Sequence, residues 1–240
     1  MTHEFKSTAP QKRRRFGPGR SKLRSAIKAR GRRIHNLWYL YSPRLKRDVV
    51  LRSDAEFAHF CFVEADPTVL RYELEPPPVT VVVGDEAMRT QFDAFVEFRG
   101  AAPELREIKT SEASLSGNEE RQRVAQQIAA AKAGFRYVRI TKADLAAHAQ
   151  LIRNWRCAIA FQAACREDLL TPFEDKLLTS AGTLRNCSLE ELLQDTEPGL
   201  RSKYLAALFS LIQNAKLHSD IAAMPLSGAT RLWTPEVGHA

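Results

Sequence analysis

The chain has 240 residues, 44% hydrophobic, 27% charged and 8% aromatic, with a formal net charge of +8. These values describe a globular protein of one or two domains, and they argue against a disordered, collagenous or disulfide-stapled chain. No apolar run approaches the ~20 residues that cross a bilayer, and Cys61, Cys157, Cys165 and Cys187 form neither a CxxC pair nor a zinc spacing.

Residues 1–33 read as a basic arm. Over residues 1–47 fifteen Lys and Arg stand against one acid, Glu4, a net +14, and the remainder carries −6. Such a segment repels itself and lacks a core, so it is expected to be poorly ordered when free. A polyanion suits it, because each phosphate neutralised releases condensed counterions. Arg13, Arg14, Arg15, Arg32 and Arg33 are assigned to DNA on this ground; a solubilising tail or an anionic-membrane patch are the plainer readings. The arm has no apolar stretch behind its charges, so no secretory signal is expected. With reduced thiols, this favours a cytoplasmic, nucleoid-associated protein that binds no membrane.

Residues 34–51 mix aromatic and β-branched residues as a strand-like lead-in. Residues 53–65 read as a helix with Phe57, Phe60 and Cys61 on its apolar side. Strands are expected over 69–75 and 79–83, around the rigid Pro76-Pro77-Pro78, followed by a Gly84-Asp85 turn. Residues 90–98 alternate cleanly, and with 104–110 they predict a hairpin about Gly100. A helix over 118–133 ends before Gly134, a strand follows over 135–140, and one long helix should run from Thr141 to about Glu167. This order predicts an α/β fold, a mixed sheet flanked by helices, over 34–169.

Beyond Pro172 the pattern becomes helical over 172–180, 189–194 and 200–215, with Ser188 and Glu191 spaced as a capping box. Two short strands over 217–221 and 230–233 complete a winged-helix-like order for residues 170–240. The third helix would be the recognition helix, offering Arg201 and Lys203 to DNA. A small partner-binding helical domain is the competing reading.

The stretch FDAFVEFRGAAPELREIKT carries the chemistry. Glu107 and Lys109 are two apart on one strand and share a face. If the hairpin folds about Gly100, opposed residue numbers sum to about 200, which sets Asp93 against Glu107. Two opposed carboxylates are destabilising unless something positive lies between them. A divalent cation supplies that charge, as metal-assisted phosphodiester hydrolysis requires, and a lysine beside it can orient the attacking water.

Asp93 followed by Glu107-Ile108-Lys109 is similar to the D…ExK signature of restriction-endonuclease-like nucleases. With the helix bearing Glu56, the Tyr72-to-Pro76 strand and the Gly134/Tyr137/Ile140-Thr141 segment, residues 34–170 resemble the TnsA family, the endonuclease subunit of heteromeric transposases. The resemblance implies a restriction-endonuclease-like fold and a catalytic set of Glu56, Asp93, Glu107 and Lys109. Asp93, Glu107, the Ile108 carbonyl and Glu56 would bind Mg²⁺, with Mn²⁺ as a substitute. It also implies hydrolysis in the non-transferred strand at transposon ends, beside a DDE transposase (TnsB-like) and an ATPase regulator (TnsC-like). Some members have Gln where this chain has Glu107. Three alternatives stay open: Glu56 as a capping-box residue of Ser53-Asp54-Ala55-Glu56, a stand-alone restriction or repair nuclease, and a non-catalytic winged-helix DNA-binding protein.

Overall fold

The computed structural model describes residues 19–30, 36–109 and 117–235. Arg13, Arg14, Arg15, Arg32 and Arg33 lie outside these residues. Part of the basic arm is a helix, α1 (Gly19–Arg30), which buries Ala26 and packs on β2 (Arg47–Leu51). Residues 19–30 of the arm expected to be poorly ordered are thus helical and seated on β2. One small apolar face suffices to dock a segment with no acid of its own.

The strand-like lead-in is a hairpin. β1 (Trp38–Ser42) pairs antiparallel with β2, from Trp38 opposite Leu51 to Ser42 opposite Arg47. Helix α2 (Asp54–Ala65) starts at Ser53, whose side chain accepts the Glu56 N–H. Four strands then form the central sheet: β3 (Val69–Leu74), β6 (Ala94–Phe98), β7 (Ala101–Lys109) and β8 (Arg136–Thr141), in the order β3-β6-β7-β8. The first three run antiparallel, and β7 and β8 are parallel, so the sheet is mixed. The expected register holds, with Ala94 opposite Arg106 and Phe95 opposite Leu105. Strand β7 starts at Ala101 rather than 104, because Gly100 at φ 76° turns the chain within a residue or two.

The single strand expected over 90–98 is two. β5 (Glu86–Thr90) pairs with β4 (Val79–Val83) in a separate hairpin, and Gln91, Phe92 and Asp93 form a break before β6. The long helix expected from Thr141 is also two, α4 (Lys142–Ala147) and α5 (Ala149–Ala164). His148 interrupts them at φ −110° and ψ 20°, with its ring stacked on Phe62 at 4.5 Å.

Helices cover both faces of the sheet. Tyr72, Ala94 and Val96 pack with Phe60 and Val63 of α2 and with Trp155 of α5. Phe95 and Leu105 pack with Ala125, Ala129 and Ala130 of α3 (Gly117–Ala133) and with Val81 of the β4–β5 hairpin.

The C-terminal segment runs α6 (Thr171–Leu184), β9 (Asn186–Ser188), α7 (Leu189–Leu193), a 3₁₀ turn (Pro198–Leu200), α8 (Arg201–Gln213), β10 (His218–Ser219) and β11 (Arg231–Trp233). The short strands form an antiparallel sheet in the order β10-β11-β9, and Ser188 and Glu191 make the expected capping box. This segment shares one continuous core with the central sheet. Phe209 meets Trp155 edge-on at 5.9 Å, and Gln213 Nε2 donates to Glu64 Oε2 at 2.7 Å. No separate core begins at residue 170.

Candidate active site

The break before β6 is what places Asp93. Its backbone N–H donates to the Arg106 carbonyl at 3.0 Å, and its carbonyl accepts the Glu75 N–H at 2.8 Å. These bonds continue the β6 ladder one residue past the strand and bring Asp93 against the C-terminal end of β7. There Asp93 Oδ2 accepts the Ile108 N–H at 2.6 Å. The N–H and C=O of one strand residue point to the same edge, so the Ile108 carbonyl faces the side that β6 leaves uncovered. Ile108 and Asp93 line one cleft there, with Glu56, Glu75 and Arg52.

Glu107 lies next to Asp93 and is 92% shielded from solvent, its relative exposure being 8%. Both of its oxygens are engaged: Lys109 Nζ lies 2.6 Å from Oε1, and Gln126 Nε2 donates to Oε2 at 2.6 Å. Burial first, and then the Glu107 charge, push the Asp93 carboxyl up from its ordinary 3.8 to about 7. The Ile108 N–H and Lys109 oppose that rise, and Glu56 adds to it.

Glu56 reaches the same cleft, but its carboxylate has local work. Oε2 accepts the Arg52 N–H at 2.8 Å and Oε1 accepts the Ser53 hydroxyl at 3.1 Å. The capping alternative is therefore real, shifted by one residue from the standard box, in which the carboxylate reaches the N-cap N–H. Direct metal ligation by Glu56 would disrupt this cap, whereas its charge acts on Asp93 as it stands.

Gln126 was not assigned a role from sequence, yet it is the best-connected neutral group at the site. Besides holding Glu107, its Nε2 donates to the Gln91 carbonyl at 3.2 Å, and its Oε1 accepts the Tyr137 hydroxyl at 3.1 Å. A glutamine amide is nearly buried only where its polar atoms are paired; it is 2% exposed here. Its place in the sequence, in the third turn of the helix that follows the ExK strand, is the only signal that could have found it.

Beneath the sheet, on the α2 side, Arg106 donates to His59 Nε2 at 3.1 Å and pairs with Glu104 at 2.6 Å, and Glu104 also pairs with Arg136. Burial first, and then Arg106, drive the His59 pKa down to about 3, so the ring is neutral. This network braces the residue whose carbonyl anchors Asp93.

Arg201 and Lys203, expected to contact DNA, lie in the first turn of α8, ahead of its buried part. Helix α8 is embedded, with Ala206, Ala207, Leu208, Phe209, Leu211 and Ile212 all buried. Arg201 is exposed at the first turn, but Lys203 Nζ is held 2.7 Å from Asp168.

No family model matches this sequence, and no curated protein matches it. Among the described residues, no group of three or more His, Cys, Asp or Glu side chains is gathered into a ready metal cage. The oxygens here that could hold a cation are those of Asp93, Glu107 and the Ile108 carbonyl. These hard oxygens fit Mg²⁺, which binds through one or two carboxylates and keeps its remaining positions for water and substrate phosphate. Burial first, and then the Glu107 charge, raise the Asp93 carboxyl, and a bound cation would oppose both.

Proposed function

We propose that the chain is a Mg²⁺-dependent DNA endonuclease with a restriction-endonuclease-like core, the TnsA-type subunit that cuts the non-transferred strand at transposon ends. The observation that carries this reading is the proximity of the Asp93 and Glu107 carboxylates at the open end of a mixed sheet, close enough that the Glu107 charge acts on Asp93, with Lys109 paired to Glu107. Mg²⁺ or Mn²⁺, if held by these carboxylates, would supply an acidified water and positive charge against the charge developing at phosphorus. The Ile108 N–H and Gln126 fix the two carboxylates, and Lys109 stands where it can orient the attacking water. Double-stranded DNA, a DDE transposase of the TnsB type and an ATPase of the TnsC type are the proposed partners, in the cytoplasm.

The order α6-β9-α7-α8-β10-β11 supports a winged-helix-like reading of the C-terminal segment. With α8 turned inward, its proposed role is to brace the nuclease core and present its outer elements to partner subunits.

The test is cleavage of transposon-end duplex in Mg²⁺ with the co-encoded transposase present. Asp93→Ala and Lys109→Ala are expected to abolish strand cleavage and keep DNA affinity at fixed salt within about twofold of wild type. Equal cleavage by wild type and Asp93→Ala would overturn the assignment.

A further inference from the structure

The open end of the sheet is flanked by two clefts of opposite character. On the α2 side, Glu56, Glu75 and Asp93 face a single guanidinium, Arg52. On the α3 side, Lys109, Arg123 and Arg139 gather around Glu107 and Glu119. The first is suited to a cation and the second to an anion, and Glu107 lies between Asp93 and the basic cluster.

Two placements make the second cleft more than a chance grouping of surface charge. Arg139 on β8 stands directly beside Glu107 in the parallel register. Arg123 lies on α3 one turn before Gln126, the residue that holds Glu107. Both guanidiniums are near enough to the Tyr137 hydroxyl to oppose the rise that burial and Glu107 impose on it. The Glu107 charge is already met by Lys109 at 2.6 Å. Arg123 is anchored by Glu120 through one terminal nitrogen, while its Nε is shielded and has no hydrogen-bond partner among the described residues. Arginine guanidiniums are the side-chain groups best suited to phosphate oxygens.

We infer that the α3-side cleft is a phosphate subsite in which Arg123 and Arg139 hold a backbone phosphate of the substrate strand, adjacent to the phosphate being cut. This rests on the nuclease reading and extends it. The strand crosses the end of β7, with the reacting phosphate over Asp93 and Glu107 and its neighbour in the basic cleft. Arg123 and Arg139 are positioning residues and touch no reacting atom.

The test is duplex affinity as a function of salt, in Ca²⁺ to suppress cleavage, for wild type, Arg123→Gln/Arg139→Gln and the control Arg121→Gln. Arg121 lies on the same helix but pairs with Glu86, outside the cleft. The double variant is expected to bind about tenfold more weakly, and its log–log salt slope should fall by about 0.9, one phosphate contact. The control should change neither, and Mn²⁺ should still raise the Tm of all three. Unchanged affinity and slope in the double variant would overturn the subsite. Saturation of the wild type by micromolar inorganic phosphate, with duplex affinity intact in the double variant, would also overturn it, in favour of a free-anion site. A reduced slope in a protein that never cuts DNA would keep the subsite and sink the nuclease reading. Cleavage with an unchanged slope would do the reverse.

Discussion

Gln126 grips Glu107 from α3, its Nε2 2.6 Å from Oε2, while its own carbonyl oxygen takes the Tyr137 hydroxyl. A neutral amide thus fixes one of the two candidate metal-binding carboxylates without competing for the cation. Partners that orient a ligand in this way typically contribute 10–100-fold to metal affinity or activity. Gln126→Ala is expected to lower cleavage by about that factor, and Tyr137→Phe by less. Single-turnover cleavage rates for the two variants check the ranking, and a Tyr137→Phe loss exceeding that of Gln126→Ala would contradict it.

The Asp93 carboxyl, raised from 3.8 to about 7, makes metal-free stability depend on pH. The folded state holds this proton more tightly than the unfolded chain does. Stability from the group is therefore full below about pH 4 and is lost as pH rises toward 7. Melting in EDTA at pH 5 and pH 8 should show wild type losing stability relative to Asp93→Asn, by an amount on the order of a few kcal/mol. Equal pH dependence in the two proteins would show that the raised carboxyl is absent.

Glu104 and Arg106 are nearly sealed from solvent, at 3% and 7% side-chain exposure. Removing one partner of such a pair strands the other charge and costs about 3–5 kcal/mol. Glu104→Ala should lose that much by urea titration. Glu97→Ala is the contrast: it pairs with the exposed Arg71, and surface pairs are worth about 0–1 kcal/mol.

The shared core makes a further prediction about folding. Phe209→Ala is expected to cost about 3–5 kcal/mol and to shift one single transition, and residues 36–169 produced alone should not fold. A truncated chain with a cooperative melt would show two independent cores.

Much of this was legible locally. Alternation and the single glycine of the turn set the β6–β7 register as far as Ala94 opposite Arg106, and so bring Asp93 to the end of β7 near Glu107. Ser188 with Glu191 and the helix stop at Gly134 are likewise nearest-neighbour chemistry. What escaped depends on tertiary context. Period-two alternation runs unbroken through Gln91-Phe92-Asp93, although the chain changes sheets there. No Gly or Pro marks the His148 break, which is fixed by stacking on Phe62. The amphipathic pattern of α8 gave a helix, but not that α5 and α6 would enclose it. For Gln126 the only sequence signal is its place on the helix after the ExK strand, because its meaning lies in a contact 19 residues away along the chain.

The most direct test of the central claim is thermal melting with and without millimolar Mn²⁺, for wild type beside Asp93→Ala. A cation that binds the folded state alone at about 100 times its Kd adds roughly 2.7 kcal/mol, or about 5–10 °C for a chain of this size. The Asp93/Glu107 site predicts that rise in wild type, its loss in Asp93→Ala, and a higher metal-free Tm in the variant. No rise in wild type, or an equal rise in both proteins, would contradict a metal site at these two carboxylates and the nuclease built on it.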